Sequence, residues 1–175
     1  CLITVKIYTT LNLAATLISR DREIALLERL YTTLLAAAVL SAAGKNVVYE
    51  NITFTDTVRI DSNPSNLTFK NCKFEAGFRM PHSAADGNVT IENCTFTGNE
   101  SSGYAVFAQG NMASFKIAGN EISNCRRGIN IQAGNNAVVT ISGNTIKNIT
   151  GKTENGFTYG AAIQMTSAES FTVTD

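Results

Sequence analysis

Hydrophobic and polar residues alternate with a period of two along most of the chain, and the alternation breaks at the same point in five similar phrases. The phrases begin at residues 46, 66, 88, 114 and 138 and read NVVYENITF, NLTFKNCKF, NVTIENCTF, SFKIAGNEI and VVTISGNTI. A period of two is typical of a β-strand with one buried face. A repeat of about 20 to 30 residues indicates a solenoid, in which each turn packs on its neighbours.

Aligned phrases place apolar residues in columns. Before a two-residue bend, the columns contain Val47, Leu67, Val89, Phe115, Val139 and Phe171, and then Tyr49, Phe69, Ile91, Ile117, Ile141 and Val173. After the bend, the next column contains Phe54, Phe74, Phe96, Ile122 and Ile146. A further alternating pair, such as Ile129 and Ile131, completes each repeat. Three strands per repeat, stacked about 4.8 Å apart, predict an all-β parallel β-helix of five to six rungs over residues 45–175.

The inner position of the bend predicts a ladder of stacked side chains. Asn120 and Asn144 occupy it in consecutive rungs, and a buried Asn needs partners for its carbonyl and its amide group. Cys72 and Cys94 occupy it in earlier rungs. Their expected separation is within the range of a disulfide, although parallel Cβ directions oppose that bond. We therefore expect two stacked thiols and keep the disulfide as the alternative.

Residues 1–44 lack the repeat, and they predict a separate N-terminal cap. Residues 2–8 fit a strand, and residues 22–43 have apolar positions at the spacing of one helix face. Asp21 is suited to the N-cap, and Gly44 follows the predicted end. We expect this helix to cover the apolar end of the first rung.

Two other interpretations of the N-terminal helix stay open. Arg29 precedes an apolar run that ends in the small residues 41–43, as in a secretion signal. A membrane-spanning helix is the weaker alternative, because residues 30–43 are too short to cross a bilayer. Cys1 would fit the lipid-anchored first residue of a bacterial lipoprotein, but no preceding motif supports that interpretation.

Charge and cysteine spacing exclude several classes of partner. The formal net charge is zero and 16% of residues are charged, so the chain has no electrostatic footprint for nucleic acid or for an anionic membrane. The four cysteines have no CxxC spacing, and His82 is the only histidine. A zinc site is therefore not expected.

The stretch IAGNEISNCRRGINI at residues 117–131, with its echo ISGNTIKN at residues 141–148, resembles the right-handed parallel β-helix repeats of pectin-lyase-like proteins. More narrowly, it resembles the carbohydrate-associated (CASH-type) repeats of bacterial surface and periplasmic proteins. The resemblance covers residues 45–175 and implies a right-handed coil in a secreted or cell-surface protein.

No catalytic residue is carried over from this resemblance. The lyases of the family need clustered acidic calcium ligands with a basic residue, and the hydrolases need several aspartates with a histidine. Asp56, Asp61 and Asp86 are scattered along the sequence, and His82 lies in no matching pattern. The sequence therefore favours a protein that is not an enzyme.

Arg126 and Arg127 form the densest basic spot, directly before a predicted strand. Together with Lys73, Arg79 and Lys147, they are candidates for one basic face that would bind the carboxylates of uronic acids. The plainer alternative is that these side chains are solvated outward positions of the rungs.

Aromatic and acidic residues supply the remaining candidates. Tyr104 and Tyr159 flank long loops, where exposed rings would stack on sugars and buried rings would only pack. Acidic residues would form a calcium site if loops brought two or three of them together. The candidates are Glu75, Asp86, Glu92, Glu100 and Glu121. We expect no bound cofactor, with Ca²⁺ as the one alternative.

The sixth phrase, residues 170–175, stops part-way through a rung. From this we expect a longer array or an end that pairs with another copy, since an uncovered rung exposes strand edges. The sequence predicts a secreted or cell-surface scaffold that binds a glycan or mediates adhesion without catalysis. The alternative is the N-terminal part of a lyase or hydrolase that acts on an acidic polysaccharide.

Overall fold

The computed structural model describes residues 39–40, 46–60, 65–80, 84–98, 103–110, 112–133 and 137–175. In these ranges the strands form three parallel sheets and one antiparallel hairpin. Sheet I contains β2 (Asn46–Glu50), β5 (Asn66–Lys70), β8 (Ala84–Glu92), β11 (Met112–Ala118), β14 (Val138–Ser142) and β19 (Ser170–Thr174). Sheet II contains β3 (Thr53–Phe54), β6 (Lys73–Phe74), β9 (Thr95–Thr97), β12 (Glu121–Ser123) and β15 (Thr145–Lys147).

Sheet III contains β1 (Val39–Leu40), β4 (Val58–Ile60), β7 (Phe78–Met80), β10 (Val106–Gly110), β13 (Ile129–Ala133) and β18 (Ile163–Met165). The hairpin consists of β16 (Lys152–Glu154) and β17 (Phe157–Tyr159), and it is inserted in the chain between β15 and β18. Five successive strand triplets visit sheets I, II and III in that order. The predicted parallel β-helix is therefore confirmed.

Stacking of equivalent residues builds one continuous core. Each inward column is in register from rung to rung, as in the pairs Val47–Leu67, Leu67–Val89 and Phe115–Val139. The aromatic residues in the middle of these columns are fully buried, with Phe69 and Phe74 at 0% exposure. Burial of each large apolar side chain contributes about 1.5–3 kcal/mol, so the stack supplies the main stabilising term of the fold.

The bend between sheets I and II requires a left-handed backbone residue in every rung. The first bend position has a positive φ in each of the five triplets. These residues are Asn51, Asn71, Asn93, Gly119 and Gly143. Asn and Gly are the residues that adopt this conformation most readily. This explains why the phrase breaks at Asn or Gly and at no other residue type.

The predicted helix over residues 22–43 is wrong at its C-terminal end. Val39 and Leu40 form β1, which pairs in parallel with Arg59 and Ile60 of β4. Pairing of β1 satisfies backbone groups along the edge of β4, and a β-branched Val suits a strand. Sheet III thus has a strand before residue 45, where the sequence predicts the array to begin. Cys1, the predicted strand over 2–8 and the rest of the predicted helix lie outside the described residues.

Candidate functional site

The outer face of sheet III carries an aligned row of basic, aromatic and amide side chains. In β4, β7, β10 and β13 the first and third residues point into the core, so the side chain of the second residue points outward. Register pairs link Arg59 to Arg79, Arg79 to Phe107, Phe107 to Asn130 and Asn130 to Gln164. The row therefore runs across five rungs of the solenoid.

Four of the side chains at this face form a guanidinium–aromatic cluster, defined as Arg79, Tyr104, Phe107 and Arg127. The Arg127 guanidinium carbon lies 4.8 Å from the centre of the Tyr104 ring, and Arg127 also donates a hydrogen bond to the Tyr104 hydroxyl. The Tyr104 and Phe107 rings are 4.9 Å apart. The Arg79 guanidinium carbon lies 5.8 Å from the centre of the Phe107 ring. Each guanidinium group thus rests on a ring, and the two rings contact each other.

Local backbone geometry brings Tyr104 and Arg127 together. Tyr104 lies just before β10 and Arg127 just before β13, two neighbouring strands of sheet III. The N–H of Ala105 donates to the carbonyl of Arg127 at 2.9 Å, so the two entry segments are held side by side. Both side chains are partly buried, which limits their mobility and orients the guanidinium group.

Asn130 lies next to this cluster and has an unusual environment for an outward position. Its side chain is only 2% exposed, and its Nδ2 donates to Oε1 of the exposed Gln164 at 3.2 Å. Its Oδ1 is buried and has no hydrogen-bond partner among the described residues. A buried acceptor without a donor is uncommon in folded proteins and needs an explanation.

The single basic face predicted from sequence is divided between two sheets. Arg79 and Arg127 lie at sheet III, whereas Lys73 and Lys147 lie on β6 and β15 of sheet II. Lys73 pairs with Glu75 at 2.6 Å, and Lys147 pairs with a glutamate at the same distance. The prediction that all these cations share one face is therefore wrong, because the bend between the sheets separates them.

Carboxylates are distributed unequally over these two faces. The described outward positions of β4, β7, β10, β13 and β18 contain arginine, phenylalanine, asparagine and glutamine and no acidic residue. On sheet II, by contrast, Glu121 on β12 neutralises Lys147. The outer face of sheet III is thus the better candidate for an anionic ligand.

The other two predicted ligand residues lie near one end of the cluster. The carbonyl of Arg126 accepts a hydrogen bond from the N–H of Gly151 at 2.9 Å, immediately before the β16–β17 hairpin. The backbone of Tyr159 pairs with Lys152 in that hairpin. The side chain of Tyr159 lies outside the described part of the structure. Arg126 is therefore placed next to the base of the hairpin, and no contact of Tyr159 with a ligand face is assigned.

The predicted corner ladder is present inside the bend between sheets I and II. Asn120 Nδ2 and the Asn120 backbone N–H both donate to Asn144 Oδ1 at 2.9 Å. The N–H of Cys94 donates to Asn120 Oδ1 at 2.7 Å, and the N–H of Cys72 donates to Cys94 Sγ at 3.3 Å. Sulfur in the earlier rungs therefore accepts the hydrogen bond that an amide oxygen accepts in the later rungs.

The cysteines of the described residues are free thiols. Cys72, Cys94 and Cys125 are all buried, and no disulfide joins the first two. A hydrogen bond from Cys94 lowers the pKa of Cys72, and the same contact together with burial raises the pKa of Cys94. Burial raises the pKa of Cys125. All three thiols are buried parts of the core and not exposed nucleophiles.

Sequence reasoning did not single out Phe107, Asn130 or Gln164 as site residues. The apolar alternation pairs Ala105 with Phe107 and predicts that both are core residues, which is wrong for Phe107, because Val106 and Ala108 are the buried residues of β10. The available signal was the register, because each of the three is the second residue of a strand in the same sheet as Arg79. Outward columns are found by aligning the polar positions of each repeat in addition to the apolar ones.

The described residues contain no group of three or more His, Cys, Asp or Glu side chains placed to hold a metal ion. Of the calcium candidates, Glu75 and Glu121 each bind a lysine, Glu100 lies outside the described residues, and Asp86 is described only by its backbone. In the same part of the chain, no helix has the length and apolar character needed to cross a membrane.

Coiled parallel strand triplets stacked around one core define the class of parallel β-helix repeat proteins. A family model described as a right handed beta helix region matches residues 35–175. The chain belongs to this family, and its coil is therefore right-handed. No curated protein and no solved structure matches the chain.

Proposed function

We propose that the protein is a non-catalytic scaffold that binds an acidic polysaccharide through the outer face of sheet III. The observation that carries the proposal is the guanidinium–aromatic cluster, in which Arg79 and Arg127 each lie over a ring. A planar guanidinium group recognises a carboxylate with two parallel hydrogen bonds, and an aromatic ring packs against the apolar face of a sugar. Both elements of uronic acid recognition therefore occur side by side.

Geometry of the repeat supports a polymeric ligand over a small one. The row from Arg59 to Gln164 crosses five strands, spaced by about 4.8 Å per rung, and takes one side chain from each strand. A polymer lying along the solenoid axis would contact several of these side chains at once. Individually weak contacts then add through multivalency. Adhesion to a glycan surface would use the same contacts.

The cellular location of the protein and its narrower family are parts of the same proposal. We place the protein outside the cell, in secreted form or at the cell surface, because acidic polysaccharides are ligands of that compartment. The narrower kinship with pectin-lyase-like, carbohydrate-associated repeats is supported by the Ile-x-Gly-Asn-x-Ile phrases at residues 117–122 and 141–146. Detection of the protein in a cell-wall or culture-medium fraction would test the location, and recovery only with the cytoplasmic fraction would oppose it.

The test is a binding titration of the purified protein with polygalacturonate oligomers, with fully methyl-esterified oligomers as the uncharged comparison. We expect the acidic oligomer to bind more tightly and its affinity to fall with ionic strength. Arg79→Ala should weaken binding about 5- to 10-fold, as expected for loss of one charge-assisted contact. Lys147→Ala is the matched control, because Lys147 is an exposed cation on sheet II. Equal effects of the two substitutions would refute the assignment to sheet III.

The lyase or hydrolase alternative is tested in the same samples. Incubation with polygalacturonate, with and without Ca²⁺, should leave the polymer length unchanged. New reducing ends or unsaturated sugar products would show turnover and overturn the non-catalytic proposal. No observation on the described residues favours turnover over binding.

End-to-end association through β19 remains a prediction. Phe171 and Val173 occupy inward columns, yet they are 61% and 49% exposed. Further rungs of a longer array, or a second copy that continues the stack, would cover both side chains. Sedimentation at increasing concentration should reveal association, and Phe171→Glu should abolish it; a monomer at every concentration would oppose the prediction.

A further inference from the structure

Asn130 is deeply buried, its Oδ1 lacks a hydrogen bond, and it belongs to the outward row of side chains on sheet III. Its flanking residues Ile129 and Ile131 belong to the core, so its own side chain is on the outer side of β13. Strand pairing puts it between Phe107 and Gln164. An outward position on a solenoid is normally solvated, and Arg79 on the same row is exposed. Asn130 is instead covered, and its Oδ1 lacks a donor.

Gln164 is the neighbour that hydrogen-bonds to Asn130. Its Oε1 accepts from Asn130 Nδ2 at 3.2 Å, while the Gln164 side chain itself is exposed. This contact uses the donor side of the Asn130 amide and leaves the acceptor side without a partner. A glutamine side chain at the surface has several rotatable bonds, so it can rotate away and exchange this hydrogen bond for one to water.

We propose that Asn130 is a specificity-determining residue that binds a sugar hydroxyl group, and that Gln164 is a displaceable cover over it. This inference rests on the proposed function, because it places the hydroxyl one rung from the ring of Phe107 in the same site. When Gln164 swings outward, the Asn130 amide presents one acceptor and one donor side by side. A pair of neighbouring sugar hydroxyls matches that arrangement, since one hydroxyl donates and the next accepts.

The division of roles within the site follows from this pairing. Arg79 and Arg127 carry positive charge and recognise carboxylates of any origin. Asn130 is neutral and recognises hydroxyls, which distinguish a polyuronate from other polyanions. The guanidinium groups of the cluster also bind a polyanion without hydroxyl groups, and its rings respond only to the apolar face of a sugar. Asn130 therefore adds selectivity for a sugar over a simple carboxylate polymer.

The experiment compares two probes, a galacturonate oligomer and poly-L-glutamate, which carries carboxylates but no hydroxyls. Asn130→Leu should weaken binding of the galacturonate oligomer about 5- to 10-fold, the usual effect of losing one hydrogen bond at a buried amide. It should leave binding of poly-L-glutamate within about 2-fold, within the range of a contact that carries no specific hydrogen bond. An equal loss for both probes would overturn the hydroxyl assignment.

Gln164→Ala is expected to change galacturonate affinity in the opposite direction to Asn130→Leu. Removal of the cover means that the ligand no longer competes with an internal hydrogen bond, so galacturonate affinity should rise about 2- to 5-fold. Because Gln164 is exposed, this variant is expected to fold even where Asn130→Leu does not. Lower or unchanged affinity in Gln164→Ala would overturn the cover role, and a purely structural Asn130–Gln164 contact would lower affinity in both variants.

The failure of this inference is distinguishable from the failure of the proposed function. Galacturonate binding that depends on Arg79 but is unchanged in Asn130→Leu would overturn this inference alone. Absence of galacturonate binding to the unmodified protein would overturn both. Thermal unfolding of each variant, measured alongside, separates loss of the site from loss of the fold.

Discussion

The bends of the first three rungs and those of the next two share one backbone geometry but have the opposite distribution of asparagine. In the early bends Asn occupies the outer, left-handed position, as at Asn71 and Asn93, and Cys or Ile occupies the inner one. In the later bends glycine is outer and Asn is inner, as at Gly119 and Asn120. Backbone geometry thus fixes the outer residue type to Asn or Gly, whereas the inner residue is free to supply an amide, a thiol or a hydrocarbon.

The same boundary appears in the core of sheet II. The inward column is aromatic in the first three rungs and aliphatic in the next two, where Ile122 and Ile146 follow Phe96. Phe74 lies between Phe54 at 5.0 Å and Phe96 at 4.5 Å, with nearly parallel rings. The early rungs therefore obtain stability mainly from ring stacking, and the later ones combine smaller side chains with a hydrogen-bonded corner.

The largest expected effect is that of removing the central ring of the stack. Phe74→Ala should lower the free energy of unfolding by about 3–5 kcal/mol, because it leaves a cavity among four other rings. Ile122→Ala is the matched change in the aliphatic region and should cost less, about 2–3 kcal/mol. Urea denaturation of both variants measures the difference. If Ile122→Ala proved the more damaging change, the aromatic stack would not be the stronger half of the core.

Much of this contrast is visible in the sequence alone. Apolar columns at a period of two, interrupted at Asn or Gly, predict the three strands per rung and the stacked interior. The inner bend residues also predict the Asn120–Asn144 contact, since both fall at one position of the repeat. These features depend on local alternation and on the backbone preferences of single residues. Both are visible when the short phrases are aligned.

Other features depend on register between rungs of unequal length and are not visible in one phrase. First-column spacings run from 20 to 32 residues, so the sheet that an Arg or Lys joins depends on where each loop lies. Lys147 and Arg79 were therefore wrongly predicted to share a face. The strand at Val39–Leu40 was missed for a related reason, because its alanine- and leucine-rich surroundings fit a helical period while pairing with β4 decides its structure.

The next prediction tests whether the bend that contains Asn120 contributes more to the free energy of unfolding than the bend that contains Cys94. Asn120→Ala removes the acceptor of the Cys94 N–H and the donor to the Ile91 carbonyl, at 2.7 and 3.0 Å. We expect it to cost about 2–3 kcal/mol, because buried partners lose their hydrogen bonds. Cys94→Ala removes a sulfur acceptor at 3.3 Å and a thiol donor to the Glu92 carbonyl at 3.2 Å; because hydrogen bonds to sulfur are weak, it should cost about 1 kcal/mol. Thermal or urea unfolding that ranked Cys94→Ala above Asn120→Ala would reverse this view of the two corners.

A smaller effect is expected at the boundary between the two kinds of bend. Gly119 has a φ of +65°, and a Cβ atom there would lie 2.5 Å from Oδ1 of Asn93 in the preceding rung. Gly143 has a φ of +59°, but a Cβ there would lie 3.9 Å from its nearest neighbour. Gly119→Ala should cost about 2 kcal/mol and Gly143→Ala about 1 kcal/mol, since both carry left-handed strain but only the first adds a clash.

A double-mutant cycle isolates the clash from the strain. In an Asn93→Gly background the outer position keeps its positive φ but has no side chain above Gly119. The cost of Gly119→Ala should then fall to about 1 kcal/mol, equal to that of Gly143→Ala. A cost that does not change in this background would mean that Asn93 plays no part in requiring glycine at position 119.

The smallest effect is a loss of stability at alkaline pH, and it is expected from the buried Tyr49 of the first rung and the buried Cys125 of the fourth. Burial raises the pKa of Tyr49 and of Cys125 above their ordinary values of 10.0 and 9.0. A raised pKa in the folded state means that the stabilising contribution is complete below the unfolded value and is lost as pH rises through the folded value. Cys94, also raised, acts in the same direction, whereas the lowered pKa of Cys72 acts in the opposite one.

Unfolding free energies measured from about pH 8 to about pH 11 should therefore decline once these groups begin to ionise in the unfolded chain. Tyr49→Phe and Cys125→Ala should each flatten that decline, because neither replacement side chain titrates. Asn120 and Asn144, which have no ionisable group, occupy the corner of the later rungs and give no such dependence. A decline of the same steepness in the two variants would show that alkaline unfolding begins elsewhere in the protein.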